Sequence, residues 1–268
     1  MNNSRPIGIF DSGMGGLTVM RALMARLPNE SFVYLGDTAR LPYGTKSADT
    51  VTRYAVQASR ALLAHDIKLL VVACNTASAV ALPALQEALA PLPVIGVIEP
   101  GARAAVKAGG PIAVIATEGT VRGGAYVRAI QQLDPAMAVV QQACPLLVPL
   151  AEEGLVNGDI ARLAAERYLK PLLATMPHPR TLVLGCTHFP ALKNTLAEVA
   201  GPTVTLVDSA ETTAENVAET LQRSGLLNQG EAQAPLFLAT DAPDRFSRVG
   251  EIFLGTPIDP GQVQLIDL

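Results

Sequence analysis

Two cysteines offer the clearest chemistry in this sequence. Cys74 ends the apolar run Leu70-Val71-Val72-Ala73 and is followed by Asn75-Thr76. Cys186 ends Leu182-Val183-Leu184-Gly185 and is followed by Thr187-His188. A free cysteine inside an apolar run is normally a small packing residue. These two stand at the end of the run, where Asn75 and Thr76 suit a helix start. A helix N-terminus favours thiolate over thiol, so the expectation is an activated sulfur that acts as nucleophile or as proton donor and acceptor. His188, one of three histidines, lies two residues from Cys186 and is placed to tune it or pass it a proton. The third cysteine, Cys144, sits in Ala143-Cys144-Pro145 with neither cap nor polar follower, and reads as packing. Zinc sites use closely spaced pairs such as CxxC or HxxxH. Neither pattern occurs, so no metal is expected.

Other polar positions are less specific. Asp11-Ser12-Gly13-Met14-Gly15-Gly16 is a Gly-rich loop that fits neither GxGxxG nor the GK[ST] ending of a P-loop. It reads as a tight turn, or as a loop whose N–H groups approach an anion. Asp11 suits an ammonium group or a proton relay. Pro42-Tyr43-Gly44 reads as a turn, Glu152-Glu153 as a solvated helix end and Asp208-Ser209 as a helix cap.

Positioning these residues requires a strand series and helices between the strands. Strands are expected at 6–10, 31–36, 68–73, 93–97, 111–116, 138–141, 181–185 and 203–207. Helices are expected at 16–27, 47–65, 76–89, 119–133, 159–174, 191–199 and 209–224, with a βαβ-like stretch over 235–268. The alternation implies an α/β fold with mainly parallel sheets covered on both faces. The two cysteine segments echo each other, and so do Ile9-Phe10-Asp11-Ser12-Gly13 and Ile115-Ala116-Thr117-Glu118-Gly119. Asp11 and Cys74 are 63 residues apart, Thr117 and Cys186 are 69 apart, and the likeness suggests two related halves. Ligands of open α/β sheets sit beyond the carboxyl ends of strands. All four marked positions fall there, so two facing halves put Cys74 and Cys186 on either side of one cleft.

Composition narrows the partners. The 268 residues carry a net charge of −4, with only five lysines. Nucleic-acid binding needs a basic face, so none is expected, and no polybasic membrane patch exists. No apolar run reaches the roughly 18 residues of a membrane span. An odd, low cysteine count describes no disulfide framework. The start has no charged-then-apolar signal pattern, and a cytoplasmic protein is expected.

Six motifs in order resemble bacterial glutamate racemases. They are Gly8-Ile9-Phe10-Asp11-Ser12-Gly13-Met14-Gly15-Gly16; Tyr34-Leu35-Gly36-Asp37-Thr38 with Pro42-Tyr43-Gly44; and Ala73-Cys74-Asn75-Thr76-Ala77. The others are Thr117-Glu118-Gly119-Thr120-Val121, Val148-Pro149-Leu150-Ala151-Glu152 and Leu184-Gly185-Cys186-Thr187-His188-Phe189-Pro190. Related aspartate racemases typically carry Glu after Cys-Thr, so His188 points to the glutamate enzymes. The resemblance implies a cofactor-independent racemase that supplies D-glutamate for peptidoglycan. It implies two α/β lobes, residues 1–97 with 209–268 and residues 98–208, and a site between them. Carried over, Cys74 and Cys186 are the acid/base pair, Asp11 assists Cys74, and Glu152 and His188 assist Cys186. The implied substrate contacts are Asp11, Ser12, Tyr43, Gly44, Asn75, Thr76, Thr117, Thr120, Thr187 and His188. None is an arginine, so recognition by hydrogen bonds is expected. Ala116, Glu118 and Gly123 depart from the commoner Gly and Ser. Dimers are common in the family, although no interface is legible in these residues. The short segment before Pro6 lacks the extension of members activated by a cell-wall precursor, so that activation is not expected.

Two rivals remain at this stage. One is racemisation of aspartate or another amino acid. The other is a two-lobed binding module for a small acid, which the strand-end cysteines and the missing signal pattern disfavour.

Overall fold

The computed structural model describes residues 3–268. Met1 and Asn2, which open the first expected lobe, lie outside the described residues. The strands are β1 (Ile7–Asp11), β2 (Phe32–Gly36), β3 (Leu69–Val72), β4 (Val94–Gly96), β5 (Ile112–Ala116), β6 (Val139–Ala143), β7 (Thr181–Gly185), β8 (Thr205–Asp208), β9 (Leu236–Ala239) and β10 (Val263–Leu265). They form two sheets, ordered β10-β9-β2-β1-β3-β4 and β6-β5-β7-β8, and every pairing is parallel.

Within the larger sheet, β2-β1-β3-β4 has the same order as β6-β5-β7-β8, so the two halves share a topology as well as a sequence echo. The register refines that echo by one residue. Phe10 pairs with Val72, which carries Ser12 opposite Cys74. Ala116 pairs with Gly185, which carries Thr117 opposite Cys186. Thr117 therefore matches Ser12, not Asp11, and the carboxylate of the first half has Ala116 as its counterpart.

The strands lack polar alternation because both faces are covered. On β1, Ile7 and Ile9 join one apolar cluster and Phe10 the other. Helix α1 (Leu17–Arg26) packs on the first side of that sheet, with α11 (Ser209–Arg223) and α12 (Pro243–Leu254) beyond it. On the other side lie α2 (Ala48–Leu63), α3 (Asn75–Val80) and α4 (Leu82–Ala88). The smaller sheet is dressed by α5 (Ile98–Ala108), α6 (Glu118–Gly123), α7 (Ala125–Leu133), α8 (Leu147–Glu152), α9 (Gly158–Leu173) and α10 (Lys193–Ala200). Helix α11 touches both α1 and α5, so one apolar core runs between the two sheets.

Local chemistry sets the ends. Ser47 caps α2 by accepting from the Thr50 amide, and Asp208 caps α11 by accepting from Ala210. Several expected boundaries differ. The helix expected over 76–89 is two, α3 and α4, meeting at Ala81. The helix expected over 119–133 breaks at Gly124, whose φ of +61° stops α6 before α7 begins. The helix expected from 191 starts at Lys193, after a 3₁₀ turn at Phe189–Leu192 that contains Pro190. Helix α5 escaped the periodicity because its first turn holds Pro100 and Gly101, and proline is tolerated there. Helix α8 is too short for two apolar repeats.

Candidate functional site

The carboxyl ends of β1, β3, β5 and β7 converge on a cavity of about 350 Å³, within the usual range for small-molecule pockets. Its wall includes Ser12, Tyr43, Gly44, Cys74, Asn75 and Thr76 from the larger sheet's side. From the other side come Thr117, Glu118, Glu152, Cys186, Thr187 and His188. Two expected contacts, Asp11 and Thr120, sit behind the wall and are fully buried.

Cys74 is the N-cap of α3, and its sulfur accepts from the Ala77 amide at 3.4 Å. Its thiol also donates to the Ser12 hydroxyl at 3.5 Å. The helix start was expected to favour the thiolate. Instead burial, and then the Asp11 carboxylate, push the Cys74 pKa up to about 12, and desolvation outweighs the helix terminus. Asp11 lies behind the Gly-rich loop, with Oδ2 accepting from Gly13 at 3.0 Å. Burial also raises the Asp11 pKa, against the pull of His188 and the loop amides.

The Cys186 side is built differently. His188 Nδ1 lies 3.8 Å from the sulfur and Nε2 lies 3.1 Å from Glu152 Oε1. Burial opposes charge on the imidazole, but the Cys186 and Glu152 partners prevail and push its pKa up to about 10. In the protonated form that this favours, both ring nitrogens carry protons, one toward the sulfur and one toward the carboxylate. Glu152 resists burial likewise. The His188 and Arg245 contacts hold its carboxyl below the ordinary value. Edge-on packing against Phe253 fixes the imidazole plane, with ring centroids 5.0 Å apart. Glu152 is therefore no solvated helix end.

The lobes meet closely around the cavity. Thr76 Oγ1 lies 2.9 Å from Thr117 Oγ1, which lies 3.0 Å from Thr120 Oγ1. Thr18 donates to the Thr187 carbonyl at 3.0 Å. A Cβ on Gly15 would stand 2.5 Å from the His188 ring, which explains a glycine there. Tyr43 is held by a hydrogen bond from its hydroxyl to Asp37, whose carboxylate also accepts from Arg40 and Thr240. Asn75 donates to the Tyr126 hydroxyl at 2.9 Å, and its Oδ1 is buried without a partner among the described residues. Cys144 is fully buried in the apolar core. Sequence reasoning missed Arg245, which comes from α12 and lines the cavity. No local motif marks it, because its partner Glu152 is 93 residues away.

Fold and cavity together define a two-lobed α/β protein with one thiol from each sheet facing a shared pocket. A family model described as Asp/Glu/Hydantoin racemase matches residues 12–217, and the chain belongs to that family. It is 53% identical over 265 residues to a glutamate racemase of Geobacter metallireducens, covering 97% of both chains. It also superposes on the crystal structure of Francisella tularensis glutamate racemase in complex with D-glutamate. There the TM-score is 0.92 and the identity 38%, over 99% of this chain and 98% of the other. Against Thermus thermophilus glutamate racemase with β-chloro-D-alanine, the values are 0.89 and 43%, over 100% and 99%. Among the described residues, no helix is long and apolar enough to cross a membrane.

Proposed function

We propose that this chain interconverts L- and D-glutamate without a cofactor, with Cys74 and Cys186 as the paired acid and base, and supplies D-glutamate for peptidoglycan. The observation that carries this reading is the pair of thiols, one from each sheet, on one cavity. Inverting a carbon requires taking a proton from one face and giving one to the other. A single base tends to return the proton it took. Here one thiolate takes the α-hydrogen as a proton and the electron pair stays on the substrate, delocalised toward its carboxylate. The other thiol delivers its proton to the opposite face. The two sulfurs end with exchanged protonation states. An unperturbed thiol, near pKa 8.5, is closer to neutrality than a carboxylate or an ammonium group, and the raised Cys74 pKa makes that sulfur the one that starts as thiol.

In this reading Asp11 assists Cys74, while Glu152 and His188 assist Cys186. Hydroxyl and amide donors of Ser12, Asn75, Thr76, Thr117 and Thr187 stabilise the developing negative charge. Tyr43 and Gly44 close the pocket, and Thr120 holds Thr117 from behind. The orphaned Asn75 Oδ1 offers an acceptor to the substrate ammonium group. The lobes are residues 1–97 with 209–268 and residues 98–208, a division supported by the strand membership of the two sheets. A homodimer working in the cytoplasm completes the proposal.

The test is purified protein with L- or D-glutamate in D₂O, without added cofactor. Loss of optical activity with deuterium at the α-carbon is expected. Folded, reduced protein that exchanges neither enantiomer overturns the reading, and exchange of aspartate at a higher kcat/KM reassigns the substrate.

A further inference from the structure

Arg245 lies on α12, which packs on the larger sheet, yet its guanidinium donates at 2.9 Å to Glu152 Oε2 on α8, a helix of the smaller sheet's side that α12 touches. Glu152 Oε1 meets His188 Nε2 at 3.1 Å, and His188 Nδ1 faces the Cys186 sulfur at 3.8 Å. The chain of contacts is unbroken from the outer edge of one lobe to the thiol of the other. We propose that Arg245 is a positioning residue for the Cys186 half of the reaction: it pins one oxygen of Glu152 so that the other is aimed at His188. The proposal rests on the reading of Cys186 and His188 as an acid–base pair.

Magnitudes favour orientation over stability as its role. The Arg245 side chain is 43% exposed, and an exposed ion pair adds little to folding. Glu152 is different, with a side chain only 15% exposed and three torsions to fix. Its carboxylate has two oxygens, and each meets one cation. Without Arg245, one oxygen loses its partner and the carboxylate is free to turn toward the open end of the cavity. His188 then loses the acceptor that sets its ring and its proton. Glu118 on the cavity wall and Asp11, whose charge faces His188 from β1, are further charged groups at this unit. Both are acids, and among the described residues the ion pairs of Glu152 are with His188 and Arg245, so no second guanidinium or ammonium group holds Oε2.

The experiment compares Arg245→Gln, Arg245→Ala and Arg245→Lys with the unmodified chain. Misplacing a catalytic group by about an ångström costs on the order of 100-fold. A fall of about 10–100-fold in kcat/KM is therefore expected for the Gln and Ala variants, carried by kcat with KM little changed. Enantiomers are equally stable, so kcat/KM must fall equally in both directions. The Lys variant, which keeps a cation in reach of Glu152, is expected to recover most of the loss. A readout independent of turnover is the His188 imidazole NH signal, assigned among three histidines with His188→Asn. It is expected to be sharp in the unmodified chain and broadened or shifted in the Gln variant. Gln and Ala variants that keep both kcat/KM within twofold and the imidazole signal overturn the proposal. So does a rise confined to KM, which makes Arg245 a substrate contact. An inactive unmodified chain whose imidazole signal still depends on Arg245 removes the proposed function alone.

Discussion

His188 Nδ1 lies 3.8 Å from the Cys186 sulfur, whereas Cys74 meets the Ser12 hydroxyl and feels the charge of a carboxylate, Asp11. The halves that share a strand order are therefore electrostatically opposite. One thiol faces an imidazole and the other is backed by an acid.

This difference predicts a pH dependence of stability. The His188 pKa rises from an ordinary 6.5 to about 10 on folding. A raised pKa means that the folded state binds the proton more tightly. Its contribution is complete below pH 6.5 and is lost as pH climbs through about 10. The Tm gap between the unmodified chain and His188→Asn is therefore expected to be widest below pH 6.5 and to narrow toward pH 10. Thermal melts at matched ionic strength measure it. A gap that stays constant across that range removes the imidazolium from the folded state.

Replacing one sulfur separates the faces. Cys74→Ser and Cys186→Ser are each expected to lower racemisation by about 10²–10⁴-fold, the usual weight of a general acid or base. Each variant keeps one working thiol. It is expected to wash the α-hydrogen of one enantiomer into solvent faster than it racemises, and the two variants should favour opposite enantiomers. Proton NMR in D₂O reads this directly. Identical enantiomer preference in both variants contradicts a thiol on each face.

The thiols were legible because their runs are apolar without alternation and stop abruptly at Cys74 and Cys186, which marks the ligand-facing end of buried parallel strands. His188 was legible by adjacency. The carboxylate that serves it was read locally as solvated, since nothing within α8 shows that Arg245 and His188 converge on Glu152. The helix-start argument at Cys74 also failed locally. Whether a thiol ionises depends on how much water it loses and on Asp11, both fixed by tertiary structure. The break at Gly124 was invisible because glycine marks a left-handed turn only when the chain uses one.

Two glycines near the site predict opposite outcomes. In Gly15→Ala the new methyl stands 2.5 Å from His188 Nδ1 and 2.6 Å from Thr187 Oγ1, so the imidazole must move. Overpacking of this kind costs about 1–3 kcal/mol, and activity is expected to fall with it. Gly123 ends α6, and its nearest neighbour would be Val80 Cγ1 at 3.5 Å, an ordinary contact. Gly123→Ala, which reduces the freedom of the unfolded chain, is expected to leave activity unchanged and to gain about 0.4–1 kcal/mol. Urea denaturation and steady-state rates on both variants check the pair. A neutral Gly15→Ala means that the ring is not wedged against the loop.

Away from the site, Lys68 and Glu30 form an ion pair at 2.5 Å with exposures of 1% and 3%. Lys68 also donates to the carbonyls of Asn3 and Leu226 at 2.8 Å, and Glu30 accepts from the Asn228 amide at 2.8 Å. The pair thus straps the segment after α11 to the start of β3, just before the chain enters β9. Burial lowers the Lys68 pKa, but Glu30 opposes the loss of its proton. Breaking a buried pair from one side leaves an unpaired charge, and Lys68→Met is expected to cost about 3–5 kcal/mol. Lys68→Met with Glu30→Gln removes both charges while keeping an acceptor for Asn228, and is expected to cost less than the single change. Denaturation free energies of the two single variants and the double variant close the cycle. Because the strap lies at the opposite end of β3 from Cys74, kcat well below the Tm is expected to stay within about twofold in all three, as for substitutions at independent sites. A double variant less stable than Lys68→Met would show that the pair contributes its own favourable energy rather than only avoiding an unpaired charge.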